Sequence, residues 1–440
     1  MDARPVDPGH AQAWRDLGRV VAAHVVMLRD VGILDDPVLA ALLSALDGVA
    51  RGIPPAVSTL DDLIGAFDER LDAVTPAGAV GAAAVGRARA DVLAALLRLA
   101  LREHLLLVAA AAEGARAALI DLAAAHVVTL MPAHSGSQAA QPTTFGHFLG
   151  GVVAPLARAA GRVSAAYAEV NRSPLGAVAL ASTSLAIDRE RVAALVGFDG
   201  VEVNTYDAVA ATDHVAATAD AAAGIAAALG RFLAELLAWL RTEPTSFRLG
   251  DAWLGFDPAM PQLRSPVGID RLLLAARRVE ADAGGLVSLC RNVGYGPVAA
   301  ATDLLEQSAR TVLGGTMDVA ARTGELLADL EVNRAYFANR AGRAHTTSGD
   351  LADFLMTEEG LEPAAARNVA ALTIARAIPA GVEVSGITPE MIDAAALAVI
   401  GRELGVEVEQ ISRHLAPRRF IERRTATGSS SPAATRAYLD

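Results

Sequence analysis

Apolar residues recur at helical spacing through most of the chain, and their runs are long. Between residues 10 and 50 they define two amphipathic helices joined at Gly32-Ile33-Leu34-Asp35-Asp36, with Asp35 or Asp36 as N-cap. Ser58 or Thr59 caps a helix over 59–72 that places Leu63, Ile64, Phe67 and Leu71 at helical spacing. The stretch 87–128 reads as one helix roughly 60 Å long, at about 1.5 Å per residue. Further long runs cover 142–170, 205–241, 266–292 and 297–331, and seams of Ala, Leu and Val predict that all five form a bundle. Between the first two lies MPAHSGSQAAQPTTFGH (131–147), a polar, small-residue stretch that reads as a loop at a helix end, with Pro142 in the first turn of the next helix. From Asp350 onward the helices are short, with Pro363, Pro379 and Pro389 as starts or stops, and Gly428-Ser429-Ser430-Ser431-Pro432 reads as mobile. The pattern divides the chain into an N-terminal helical domain (1–90), a long-helix bundle (91–340) and a small C-terminal helical domain with its tail (341–440).

Composition sharpens this. Hydrophobic residues make up 53% of the 440 but aromatics only 4%, so the core is built of Ala, Leu and Val, and the fold class is all-α. Small-residue seams suit close contact between subunits, and a homotetramer sharing one bundle is expected. Net charge is -12 with no long basic cluster, which argues against a nucleic-acid partner. All 38 basic residues are Arg, so neither a Schiff base nor a lysine general base is available. The single cysteine, Cys290, lies in an apolar run and reads as buried filler; it allows no intrachain disulfide and fits a reducing compartment. The N-terminus has no secretory pattern and no clean run of about 18 to 20 apolar residues is present, so a cytoplasmic protein with no membrane-spanning helix is expected. No metal-ligand spacing, P-loop or dinucleotide fingerprint appears, and no cofactor is expected.

Several segments resemble argininosuccinate lyase, a member of the fumarase/aspartase superfamily, in order and at compatible spacing. They are Gly86-Arg87-Ala88-Arg89-Ala90-Asp91, Met131-Pro132 with Gln138 and Gln141-Pro142-Thr143, and Asn171-Arg172-Ser173-Pro174-Leu175-Gly176 with Ser182-Thr183-Ser184. Phe145-Gly146-His147, Ile187-Asp188-Arg189-Glu190, Asn204-Thr205-Tyr206-Asp207-Ala208-Val209, Met260-Pro261-Gln262 with Ser265-Pro266, and Gly349-Asp350-Leu351-Ala352-Asp353-Phe354-Leu355 complete the set. The resemblance implies a three-domain, all-α fold with a central long-helix bundle, a small-molecule substrate, and sites at subunit interfaces of a tetramer. Family members remove a proton next to the carbon bearing the leaving group and release fumarate.

The residues that perform this chemistry in the family are replaced here. Ser135-Gly136 stands where the family has Thr-His, and the Gly-Ser-Ser-x-Met-Pro-x-Lys-x-Asn-Pro signature reads Phe256-Asp257-Pro258-Ala259-Met260-Pro261-Gln262-Leu263-Arg264-Ser265-Pro266. Ala84, Val85, Ala88, Gly136, Ala211, Ala300 and Ala301 occupy further substrate positions, predicting a wider and more apolar cleft. His134 and Asp257 are the acid/base candidates. The bland alternatives are a loop histidine bonded to backbone and an ordinary Asp-Pro turn. Substrate-binding candidates are Arg87, Arg89, Ser135, Ser137, Asn171, Thr183, Asn204, Tyr206 and Arg264; for His214 the reading is satisfied packing. Three functions follow: an elimination or cyclisation on a larger, more apolar biosynthetic intermediate; a catalytically silent member with a binding or structural role; and authentic argininosuccinate lyase activity, which the replacements disfavour.

Overall fold

The computed structural model describes residues 8–440. Among the described residues helices dominate and only three two-stranded ribbons accompany them, so the all-α expectation holds. The chain forms two compact units. One comprises residues up to 113, 158–230 and 274–321; the other comprises 114–157, 231–273 and 322–440.

The first unit begins with α1 (Pro8–Asp30), α2 (Asp36–Arg51), α3 (Leu60–Asp72) and α4 (Ala79–Ala83). Local chemistry sets their starts: Asp35 accepts the Val38 N–H at 3.0 Å and Thr59 accepts that of Asp62 at 3.0 Å. Trp14, Leu42, Leu63 and Phe67 are buried in a common core with Phe198 and Val201. Next come the long α5 (Arg89–Ala125), α6 (Phe145–Val170), the short α7 (Arg189–Val196) and α8 (Thr205–Ala210), α9 (Asp213–Thr242), α10 (Val267–Arg291) and α11 (Thr302–Asp329). Within the first unit these helices pack closely through small residues. A Cβ at Gly224 of α9 would lie 2.6 Å from the Arg162 guanidinium of α6, and one at Gly315 of α11 would lie 2.9 Å from Val279 of α10.

The stretch 131–147 is not a loop. It forms an antiparallel hairpin, β1 (Leu130–Ser135) with β2 (Gln138–Thr144), and Pro142 lies in β2 opposite Pro132 rather than in the first turn of a helix. Neither proline has an N–H, so the pair can only stand where the two strands exchange no hydrogen bonds, and no ladder bond is lost. The helix starts instead at Phe145, with the Thr144 hydroxyl accepting the His147 N–H at 3.1 Å. The run predicted from 205 is broken after Ala210, because Ala211 turns extended and the Thr212 hydroxyl donates to the Cys290 carbonyl at 3.0 Å. A 3-10 turn, Val298–Ala301, precedes α11.

In the second unit β3 (Phe247–Arg248) pairs with β6 (Glu331–Val332), and β4 (Gly255–Phe256) with β5 (Arg264–Ser265). An aromatic cluster of Phe145, Trp239, Phe247 and Phe337 knits this unit together. α12 (Arg334–Ala341) to α17 (Pro417–Glu422) run through α13 (Ser348–Thr357), α14 (Pro363–Ala377), α15 (Pro389–Ile400) and α16 (Val408–Leu415). Leu351, Phe354, Val369, Ile392 and Ile411 form their core. The tail differs from its sequence reading: Ser430 and Ser431 are buried, and Ser431 caps a last helix, α18 (Pro432–Leu439). Among the described residues one helix, α9, is long and apolar enough by composition to cross a membrane; 61% of that window is buried in the protein, as for a core helix.

Candidate functional site

In the first unit, hydrogen bonds draw most of the motif-bearing segments together. Asp91, in the first turn of α5, accepts the N–H groups of Ala88 (3.1 Å), Gly176 (3.0 Å) and Val178 (3.0 Å). Burial outweighs these bonds and pushes its carboxyl up to about 6. Gly176 adopts φ 77°, and a Cβ there would meet Arg189 Cγ at 2.7 Å, so the turn requires glycine. Arg189 in turn donates to the carbonyls of Leu175 (3.0 Å) and Glu202 (2.8 Å). Segments 86–91, 174–178 and 202–207 are thus fixed to one another.

The binding candidates of this unit take different places within it. Asn171 is buried and accepts from Arg102 at 3.0 Å. The Thr183 hydroxyl takes the Leu185 N–H at 3.3 Å. Exposed Asn204 caps α8, accepting the N–H groups of Tyr206 (2.9 Å) and Asp207 (3.3 Å). Tyr206 stacks on Tyr295, with ring centres 5.8 Å apart and planes 6° apart, and its hydroxyl donates to the Tyr295 carbonyl at 3.3 Å. Tyr295 closes the knot by donating to Asp207 at 2.6 Å. Sequence reasoning missed Tyr295; an aromatic set between Gly294 and Gly296, in a chain so poor in aromatics, was the available signal.

The two arginines turn toward acids of α3. Arg87 is buried 3.7 Å from Asp68, with Nη1 lacking a hydrogen-bond partner, while Arg89 bonds both the side chain (3.0 Å) and the carbonyl (2.5 Å) of Asp61. His214 is buried with neither ring nitrogen hydrogen-bonded, which corrects the reading of satisfied packing; burial holds its imidazole down at about 4. Cys290 is buried, and desolvation pushes its thiol up to about 11, as filler requires. Of the small residues expected to form an apolar wall, Ala84 and Ala300 are exposed, and Val85, Ala88, Ala211 and Ala301 are half-buried.

In the second unit, His134 lies where the hairpin register shifts, between Ala133 and His134. It faces the small Ala139 and is half-buried, and its Nδ1 is buried without a partner. Ser135 and Ser137 are exposed at the tip, where Gly136 has φ 60°. Asp257 begins a turn: its carboxylate accepts the Ala259 N–H at 2.8 Å and its carbonyl that of Met260 at 3.1 Å. Exposed Arg264 on β5 lies 5.4 Å over the Phe256 ring. Among the described residues, no group of His, Cys, Asp and Glu is arranged to hold a metal ion.

Comparison with known proteins places these segments in context. A family model described as Lyase matches residues 43–280, more than half the chain. Argininosuccinate lyase 2 of Agrobacterium fabrum is 29% identical over 436 residues, covering 96% of this chain and 84% of the relative. Argininosuccinate lyase of Natronomonas pharaonis is 32% identical, covering 95% and 83%. Among solved structures, an EDDS lyase variant with bound fumarate is 28% identical at a TM-score of 0.83, covering 100% of this chain and 90% of that one. A class II fumarase from Schistosoma mansoni, 14% identical with a TM-score of 0.75 over 95% and 91%, shares the fold. The chain therefore belongs to the lyase family that contains the argininosuccinate lyases, within the fumarase/aspartase superfamily.

Proposed function

We propose that this lyase has an altered active site and carries out an elimination or a cyclisation on a larger, more apolar biosynthetic intermediate than argininosuccinate. The observation that carries the reading is His134: an imidazole with a buried, unpartnered Nδ1, next to Ser135-Gly136, where the resemblance puts the family's Thr-His. A buried polar atom left unpaired costs free energy of about 1 to 3 kcal/mol, which a bound group can recover. The open or half-buried Ala84, Val85, Ala88, Ala211, Ala300 and Ala301 support a site for an apolar body rather than a dicarboxylate.

In this reading His134 and Asp257 exchange protons with the substrate, since imidazole and carboxylate both do so near neutral pH. One removes a proton from carbon as the bond to the leaving group breaks, and the other protonates that group; in a cyclisation the electron pair closes a ring instead. Ser135, Ser137 and Arg264, in the same unit, bind substrate. The sites complete themselves at the interfaces of a homotetramer.

The test is to incubate the purified protein with a small-molecule extract of its host and follow the mixture by mass spectrometry. One ion should disappear as a lighter elimination product or an isomer accumulates, and His134→Ala should stop this without changing the melting temperature by more than about 2 °C. An extract left unchanged by the wild-type protein would favour the catalytically silent alternative.

A further inference from the structure

Away from the hairpin tip, the second unit contains a cavity of about 580 Å³ that no part of the functional reading uses. It lies between strand β2, the first turns of α6 and the tail that ends in α18; Gln141, His147, Phe148, Gly151, Phe420 and Thr435 are among its lining residues. A space of that size is suited to a small molecule. We propose that this cavity is a binding site for a compact, neutral, mostly apolar molecule carrying a hydrogen-bonding group, such as an aromatic alcohol.

The chemistry of the walls selects that class. Arg424 brings the only permanent charge, and it is consumed: both of its terminal nitrogens bond to buried Asp350, and its guanidinium lies on the Phe420 ring. His147 is held at both nitrogens. Nε2 donates to the Gly428 carbonyl at 3.2 Å and Nδ1 pairs with the Thr143 hydroxyl at 2.9 Å, so neither nitrogen is left for a ligand. A charged ligand would lose hydration with no ion to replace it. Among the lining side chains, the Thr435 hydroxyl is buried without a partner. The remaining lining includes aromatic rings and two adjacent glycines.

Those glycines shape the cavity. A Cβ at Gly150 would come within 3.2 Å of the Tyr438 ring, so glycine lets the ring settle against α6 as one wall. A Cβ at Gly151 would meet nothing within 4 Å, which leaves the space open. The occupant also touches β2, whose partner strand carries His134.

Titration calorimetry with benzyl alcohol, benzoate and benzylammonium tests this on the full chain. Benzyl alcohol should bind saturably at one site per chain, at least about tenfold more tightly than either ion. Gly151→Leu, and independently Ala434→Leu, should weaken it about tenfold or more by filling the space, with the circular dichroism spectrum unchanged. Thr435→Val should remove the preference for benzyl alcohol over toluene and leave toluene binding intact. No saturable binding of benzyl alcohol, equal binding of the two ions, or unchanged affinity in whichever filling variant folds would overturn the proposal. Because binding alone is read, the result is independent of whether His134 is catalytic.

Discussion

The Tyr295 hydroxyl donates a 2.6 Å hydrogen bond to the Asp207 carboxylate while its ring stacks on Tyr206. A donor held by a carboxylate releases its proton less readily, so the Tyr295 phenol titrates above the usual tyrosine range. Asp207→Asn should bring it back toward the ordinary value of about 10. Spectrophotometric titration against a Tyr295→Phe control reads this directly, and identical curves for wild type and Asp207→Asn would show that the bond does not exist in solution.

Stability should rise with pH between about pH 4 and 6. Burial holds His24 and His214 down at about 4, so their contribution is intact above the ordinary value of 6.5 and is lost as pH falls toward 4. Asp91 acts oppositely: with its carboxyl pushed up to about 6, its contribution is present below 3.8 and is lost as pH rises through 6. Unfolding within this window takes up two protons and releases one. The net slope of these three groups is about 1.4 kcal/mol per pH unit, favouring the folded state at higher pH; His126, lowered by burial, adds to it and Asp68, raised by burial, opposes it. Denaturant melts at pH 4.5 and 5.5 should show it, and the double variant His24→Gln, His214→Leu should reverse its sign. A slope unaffected by that double variant would contradict the assignment.

Asp350 is buried and is bonded by Arg423 and Arg424. Removing it leaves two guanidiniums without their common partner, so Asp350→Ala should cost about 3 kcal/mol or more in a denaturant melt. A loss under about 1 kcal/mol, the scale of a surface pair, would mean that the pairs are solvated.

The homotetramer is expected from exposed apolar residues on the long helices. Leu106 and Leu107 of α5 are 55% and 45% exposed, Leu274 of α10 61% and Leu304 of α11 51%, apolar side chains that a subunit interface would cover. Sedimentation at micromolar concentration should give four times the 45.2 kDa chain mass, and Leu106→Arg with Leu107→Arg should shift it toward monomer. A wild-type monomer would remove the basis for interfacial sites.

What the sequence made legible was local. Asp35 and Thr59 were recognisable as caps because each bonds an N–H three residues away, and the long helices followed from periodicity. The hairpin was hidden because Pro132, Pro142 and Gly136 obscure alternation, and each proline reads as a helix start or a loop until its partner strand is in place. The break at Ala211 depends on a carbonyl 78 residues away, and the Tyr295–Asp207 contact spans 88. Neither has a local signature. Arg87 was visible as a cation, but its burial beside Asp68 was not.

The most direct measurement is a steady-state assay of argininosuccinate cleavage, and of its formation from arginine and fumarate, with the purified protein. In the proposed reading Ser135-Gly136 and residues 256–266 stand in place of the family's Thr-His and of the serines and lysine of its signature, and losing one such group commonly costs about 100-fold or more in rate. Neither direction should rise above background. Turnover at roughly 1 per second or faster, a rate ordinary for enzymes, would contradict the altered site and make this protein an authentic argininosuccinate lyase.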